Sequence, residues 1–248
     1  MPSVLTSRQV AEFIDTGYVR LEGAFAPEVV ASVRSELESR TQVGFDDPTT
    51  WPCPRITLAD VMVTAPFTDA VSDRVAGALD DLIGPSRWEP VDYMGWWQIT
   101  FPGFAEIDYG DDWHVDGRDF THLPWSPELR MFPLFLFSDV PPGGGGTLID
   151  VGSHHRVASE LWRHVPDGLT DLEVAALITQ HPKTWSHVEE ATGQAGDVVL
   201  CHPMIFHSSN RNDGVAPRIQ ATPHVVAAGP VPTTSPSAVD EVIWNARL

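Results

Sequence analysis

The texture of the chain changes once, near Trp88, and that change limits the fold more than any other feature. Before it, apolar residues recur at helical spacing. Ser7 is placed to cap a helix over Arg8–Asp15, where Val10, Phe13 and Ile14 share one face. Gly17 ends that turn, and Tyr18-Val19-Arg20-Leu21 reads as a short strand. Pro27 opens a second helix reaching about Arg40, with Val29, Val33 and Leu37 in register. After a loop rich in Pro, Thr and Asp (Asp46–Pro54), a third helix is predicted over Phe67–Ile83, stopped by Gly84-Pro85. Beyond Trp88 come short apolar runs set off by Pro and Gly. Tyr93–Phe101, Met131–Phe137, Thr147–Val151, Thr184–Val188, Asp197–His202 and Arg218–Val226 read as strands. One helical stretch, about Leu169–Ile178, interrupts them, and Pro141-Pro142-Gly143-Gly144-Gly145-Gly146 suits a tight strand-to-strand connection. Helices first, then many strands without alternating helices, predict a mainly β sandwich or barrel with a helical flank and not a parallel α/β sheet. The 248 residues suit one domain: a helical part over 1–87, a β core over 88–228 and an extended C-terminal tail over 229–248.

Charge removes several functions. The chain carries 34 acidic and 15 basic residues, a net −19, so it repels phosphate backbones and anionic membranes. Neither nucleic acid nor membrane is expected as a partner. With Lys183 as its one lysine, any anionic ligand must be gripped mainly by arginine. Two cysteines, Cys53 and Cys201, are too few for a disulfide framework or a cysteine-based zinc site. No basic-then-apolar leader and no run of 18 apolar residues is present, so a cytoplasmic location is expected.

Ten histidines beside two cysteines direct attention to a histidine/carboxylate metal site. His114 and Asp116 sit two apart in Trp113-His114-Val115-Asp116, and on a strand both would point to one face. Chance alone supplies such a pair readily in this composition. A second element, Gly196 to His207, is an apolar strand turning at Pro203 into another that carries His207; Arg218 follows eleven residues later. Two imidazoles and one carboxylate with open positions form the facial triad of non-haem Fe(II) oxygenases. An arginine nearby can hold a carboxylate through two parallel N–H···O bonds.

Three segments in this order resemble the phytanoyl-CoA dioxygenase family of Fe(II)/2-oxoglutarate-dependent oxygenases: Trp113–Asp116, Gly145–His154, and Gly196 through His207, Asn212 and Arg218. The opening Ala11–Glu38 is similar as well, so the likeness covers nearly the whole chain. Gly145 departs from the usual asparagine, and Val151 stands near the usual proline. The resemblance implies a double-stranded β-helix (jelly-roll) core with the N-terminal helices packed on one sheet. It implies iron at His114, Asp116 and His207, and 2-oxoglutarate paired with Arg218. Gln98, sixteen residues before His114, would also bind the cosubstrate. His202 would be a non-ligand. Trp113, Trp97 and Arg118 are candidate substrate contacts, Trp96 flanks the same region, and His154 and His155 are assigned to packing or helix capping.

The resemblance further implies that Fe(II), 2-oxoglutarate and O2 combine to hydroxylate a C–H bond, with succinate and CO2 released; desaturation and cyclisation use the same machinery. A jelly-roll hydrolase or isomerase with a metal-activated water, and a non-catalytic jelly-roll binding module, are the rival readings. The segment Glu106–Asp112 and the overall charge disfavour a polyanionic acyl-CoA. A small natural-product intermediate, neutral or amine-bearing, is expected as substrate, in a monomer or homodimer.

Overall fold

The computed structural model describes residues 3–104, 112–180, 187–231 and 237–247. The chain opens with α1 (Ser7–Thr16), capped one residue earlier than expected: the Thr6 hydroxyl accepts from Gln9 N–H while the Gln9 side chain returns to Thr6. Gly17 follows at φ +90°, where a Cβ would lie 2.3 Å from Ile205 and 2.7 Å from His154, so only glycine fits. Then come β1 (Tyr18–Leu21), α2 (Pro27–Thr41), β2 (Arg55–Leu58) and α3 (Asp73–Ile83). The helix predicted over Phe67–Ile83 begins only at Asp73. Residues Thr68–Ala70 form a single 3-10 turn, and the Ser72 hydroxyl caps α3 by accepting from Val75 N–H.

Next are β3 (Trp97–Thr100), β4 (Phe132–Leu136), β5 (Leu148–Asp150), α4 (Ser153–Arg163), α5 (Asp171–Gln180), β6 (Val188–Glu190), β7 (Val198–Cys201), β8 (His207–Ser208), β9 (Arg218–Ala221) and α6 (Ala238–Asn245). Of the predicted strand Thr184–Val188, residues 184–186 lie outside the described residues; β6 starts at Val188. Most of the acidic segment Glu106–Asp112 lies outside them too.

Among the described residues all strand pairs are antiparallel. One sheet runs β1-β7-β4-β9-β3-β2 and the other β6-β5-β8. His114 pairs with His207 and so continues the smaller sheet beyond β8. Among the described residues six α-helices accompany the two antiparallel sheets, and the architecture is the mainly β fold with a helical flank expected from the sequence.

Alternation assigns the two faces of the larger sheet. Trp97, Ile99, Phe135, Phe137, Val198, Leu200, Ile219 and Ala221 join one apolar cluster with Phe13, Val33, Leu37, Val75 and Leu79 of α1, α2 and α3. The opposite face turns toward the smaller sheet. There Phe132, Leu134, Val199 and Cys201 pack with Ile149 and Ile205. Where β3 and β9 form that same face, the residues are polar: Gln98 is opposite Gln220, and Thr100 is opposite Arg218. The interior is therefore apolar along β4 and β7 and polar along β3 and β9.

The C-terminal tail was expected to be extended. Residues Ala238–Asn245 are instead a helix, capped by the Ser237 hydroxyl. Asp240 faces Arg130 and Arg87 in a buried ion-pair network, which draws the segment onto the body. The glycine run connects β4 to β5 as expected, and the Glu190 carboxylate accepts from Gly143 N–H at 2.6 Å and Gly146 N–H at 2.7 Å. Gly145 sits at φ +82°, a region open to glycine and asparagine, with Asn212 packed against it.

Candidate metal centre

His114, Asp116 and His207 come together from two neighbouring segments. His114 and His207 exchange both backbone hydrogen bonds at 3.0 Å, so their side chains share one face, and Asp116 follows two residues after His114. One ligand atom of each lies within 4.8 Å of the others. Asp116 Oδ1 is 3.6 Å from His114 Nε2 and 3.7 Å from His207 Nε2. These gaps are too long for hydrogen bonds, and the three atoms converge on a common space.

The hydrogen-bond partners of the two imidazoles show that the residues suit an ion. Nδ1 of His114 lies 2.5 Å from the carbonyl of Asp112, and Nδ1 of His207 lies 3.2 Å from that of Ile205. A carbonyl only accepts, so each Nδ1 carries the hydrogen and each Nε2 keeps its lone pair toward Asp116. Burial pushes the His207 imidazole down to about 4, and its ring stacks on Phe132 at 4.6 Å. It is a neutral donor at neutral pH. Burial opposes charge on Asp116, but His114, His224 and His207 around it outweigh that and hold its carboxyl well below the usual range. Burial also lowers His114, and the adjacent Asp116 more than reverses the shift. A neutral imidazole, an ionised carboxylate and a second imidazole with oriented lone pairs match a divalent transition metal.

The Asp112 carboxylate braces the two strands of the site. It accepts from the Ser208 hydroxyl, from Ser209 N–H at 3.2 Å and from the Ser209 hydroxyl at 2.7 Å. Burial raises the Asp112 carboxyl, but these donors prevail and its pKa lies below the ordinary value. Ser209 also receives Arg55 of β2 at 2.9 Å.

Arg218 is buried on the polar inner face. Its Nε–H donates to the Thr100 hydroxyl at 3.0 Å and Nη1 donates to Gln220 Oε1 at 2.8 Å. Thr147, from across the interior, reaches the same Gln220 oxygen at 3.4 Å. Gln98 is half-buried on the same face, opposite Gln220. Asn212 holds the β8–β9 turn against β3, donating to Thr100 O at 3.0 Å and Ala216 O at 2.9 Å.

Three expected substrate contacts fare differently. Trp97 points to the helical side of β3: its ring is fully buried, 5.6 Å from Phe67 and 5.1 Å from Phe137. Strand alternation puts it on the face opposite Gln98, so it is a core residue and its assignment as a substrate contact is corrected. Its neighbour Trp96 is half exposed at φ +52°. Trp113 stacks on Phe206 at 5.6 Å, one position out of phase with the ligand histidines. Arg118 is largely exposed and pairs with Asp171 at 3.8 Å. His202 is fully buried, with Nε2 3.3 Å from the Val239 carbonyl and its ring 5.0 Å from His154, which fits the expected non-ligand role. Among the described residues it belongs to no metal-competent group.

Sequence reasoning passed over one residue that touches the site. His224 Nε2 lies 3.2 Å from Asp116 Oδ2. Its place in the chain, on the same alternating parity as Arg218 and Gln220, was the available signal.

A polar crevice of about 510 Å³ between the edges of β1 and β6 is lined by Glu12, Tyr18, Arg20 and Glu189 and holds none of these residues. Among the described residues no helix is long and apolar enough to cross a membrane.

Comparisons with known proteins bear on the fold and the family. HygX from Streptomyces hygroscopicus, solved with nickel and 2-oxoglutarate bound, is 20% identical with TM-score 0.55, covering 90% of this chain and 87% of that one. EctD from S. alaskensis is 22% identical with TM-score 0.58, covering 91% and 78%. The epimerase SnoN, in complex with Fe3+, alpha ketoglutarate and nogalamycin RO, is 19% identical with TM-score 0.60, covering 88% and 82%. These likenesses establish the jelly-roll fold. No curated protein matches significantly. The family model described as Phytanoyl-CoA dioxygenase (PhyH) matches residues 13–219. The chain therefore belongs to the phytanoyl-CoA dioxygenase family, and is by class a non-haem iron, 2-oxoglutarate-dependent dioxygenase.

Proposed function

We propose that this enzyme oxidises a small natural-product intermediate, neutral or amine-bearing, by hydroxylation or by the related desaturation or cyclisation. 2-Oxoglutarate and O2 are consumed; succinate and CO2 leave. The observation that carries the reading is the pairing, in one interior, of the His114/Asp116/His207 group with the buried Arg218.

His114, Asp116 and His207 would hold Fe(II), which when bound supplies the activation of O2 and the oxidation of a C–H bond. The protein's part is positional. Arg218 offers a planar fork whose orientation is fixed by Thr100 and Gln220, and it would receive the distal carboxylate of 2-oxoglutarate. Gln98 stands one rung along the same face and would contact the cosubstrate from there. Phe132, Leu134 and Val199, beside Arg218 on the same inner face along β4 and β7, make that part of the interior apolar and keep water from the reacting centre. Arg118, beyond the ligand loop, and Trp113 remain candidates for contacts to the oxidised substrate.

The substrate class is supported by charge. A net −19 repels the phosphates of coenzyme A and attracts amines. HygX has also been solved with hygromycin B bound, and SnoN comes from nogalamycin biosynthesis. Substrate-triggered succinate release tests the proposal with a panel of acyl-CoAs, free acids and amino-sugar or amino-acid-derived metabolites. Coupling to an amine-bearing metabolite, weakened by salt, is expected. Coupling to acyl-CoAs alone contradicts it.

A further inference from the structure

The two oxygens of Asp116 face different neighbours. Oδ1 is turned toward the Nε2 atoms of His114 and His207, at 3.6 and 3.7 Å. Oδ2 is turned away from them and meets His224 Nε2 at 3.2 Å. An ionised carboxylate only accepts, so His224 carries its proton on Nε2 and donates it. The imidazole is itself held by the chain around it. The Tyr93 hydroxyl accepts from His224 N–H at 3.0 Å and donates to His224 C=O at 3.1 Å. Both backbone polar groups of His224 are thereby tied to one phenol in the segment that leads into β3.

We infer that His224 is a positioning residue: its Nε2–H fixes Oδ2 of Asp116, so that the carboxylate presents Oδ1 alone between the two imidazoles. The inference rests on Asp116 being a metal ligand. A free carboxylate rotates about χ2 and can offer either or both oxygens; a donor on one of them removes that freedom. Tyr93 supports the arrangement one step further out, by holding the backbone from which His224 projects. The chain logic is economical. A single segment after β8 carries Arg218 on β9 and, six residues on, the histidine that orients the carboxylate. The inner face of β9 and its continuation thus bring the cosubstrate arginine and the ligand's orienting partner to one interior.

Binding of Co(II) to the metal-free full-length protein, followed by its visible absorption and by calorimetry, tests the role without any turnover. Wild type and Asp116→Ala are compared first. Tight binding that is lost in Asp116→Ala is expected. Wild type that fails to bind, or Asp116→Ala that binds equally, overturns both the metal reading and the role of His224. Given wild-type binding, His224→Ala is expected to weaken Co(II) by about tenfold or more, the usual effect of losing a ligand's hydrogen-bond partner. His224→Gln, whose amide N–H reaches to a similar place, is expected to restore most of the affinity and the wild-type absorption band. Tyr93→Phe is expected to give an intermediate loss. Unchanged affinity in His224→Ala overturns the proposal while leaving the metal site standing. Failure of His224→Gln to rescue, at a metal-free melting temperature equal to wild type, overturns it in favour of direct coordination by His224. If His224→Ala does not fold, the glutamine and Tyr93→Phe variants carry the same comparison.

Discussion

His114 and His207 each donate an Nδ1 proton to the carbonyl two residues earlier in the chain, and this local geometry fixes which nitrogen faces Asp116. Replacing His114, Asp116 or His207 by alanine is therefore expected to end 2-oxoglutarate turnover with little change in far-ultraviolet circular dichroism. His202 behaves in the opposite way. It is fully buried against His154, so His202→Ala should keep Co(II) binding but lower stability by about 2–4 kcal/mol in urea unfolding, from lost packing and an unpaired carbonyl. Loss of Co(II) binding in that variant would return His202 to the ligand set. Arg218→Lys keeps charge but loses the fork held by Thr100 and Gln220. One charge-assisted hydrogen bond corresponds to roughly tenfold in affinity, so half-saturating 2-oxoglutarate should rise by about that factor in succinate assays. No change would remove Arg218 from the cosubstrate site. The triad was legible in the sequence because it lies in two compact motifs. Trp97 was misread because adjacency to Gln98 in sequence means opposite faces on a strand. His224 was overlooked because its partner lies 108 positions away and no local pattern joins them.

Elements were most readable where their own periodicity was strong. Strand β1 has the expected bounds, the predicted α1, α2, β4, β5 and β7 lie within about a residue of those observed, and β9 starts at the expected Arg218 but ends at Ala221 instead of Val226. What failed has physical causes. α4 is absent from the sequence reading, although His154, Val157, Ala158 and Leu161 are its buried stripe at helical spacing. β2 follows directly on the loop Asp46–Pro54 and has no strand pattern of its own; its pairing with β3 makes it a strand. α6 was masked by the Pro/Thr/Ser-rich stretch before it, although Ser237 with Asp240 three residues on is a capping signature. The anchor of α6 is ionic. Removing the Asp240 carboxylate leaves the buried Arg130 uncompensated, so Asp240→Ala should lower stability by about 3–5 kcal/mol in urea unfolding. A change below 1 kcal/mol would mean that water reaches the arginine and the network does not anchor the helix.

At the scale of the molecule, the helical flank and the sandwich meet around buried histidines that bear no charge. Burial pushes His154 down to about 3, with the neighbouring His155 adding to the shift, and burial takes His202 well below its ordinary value. In the unfolded chain these imidazoles take up protons near pH 6.5, so below that pH the unfolded state binds more protons than the folded one. Stability is full above about pH 6.5 and falls progressively as pH drops toward 3. Urea midpoints at pH 7.5 and 5 should show this decline, and His154→Gln should make it shallower; an equal slope in both proteins would exclude His154 as a source. The central claim concerns the interior as a whole: an apolar wall, a polar wall with Arg218, and the triad at one end together hold iron and 2-oxoglutarate. It is tested most directly by mixing Fe(II), 2-oxoglutarate and the metal-free protein without air and recording the visible spectrum. A weak charge-transfer band that saturates at one equivalent and disappears in His207→Ala but not in His202→Ala is predicted. Absence of the band in the wild-type protein, as for a hydrolase that binds metal without the cosubstrate, would contradict the account.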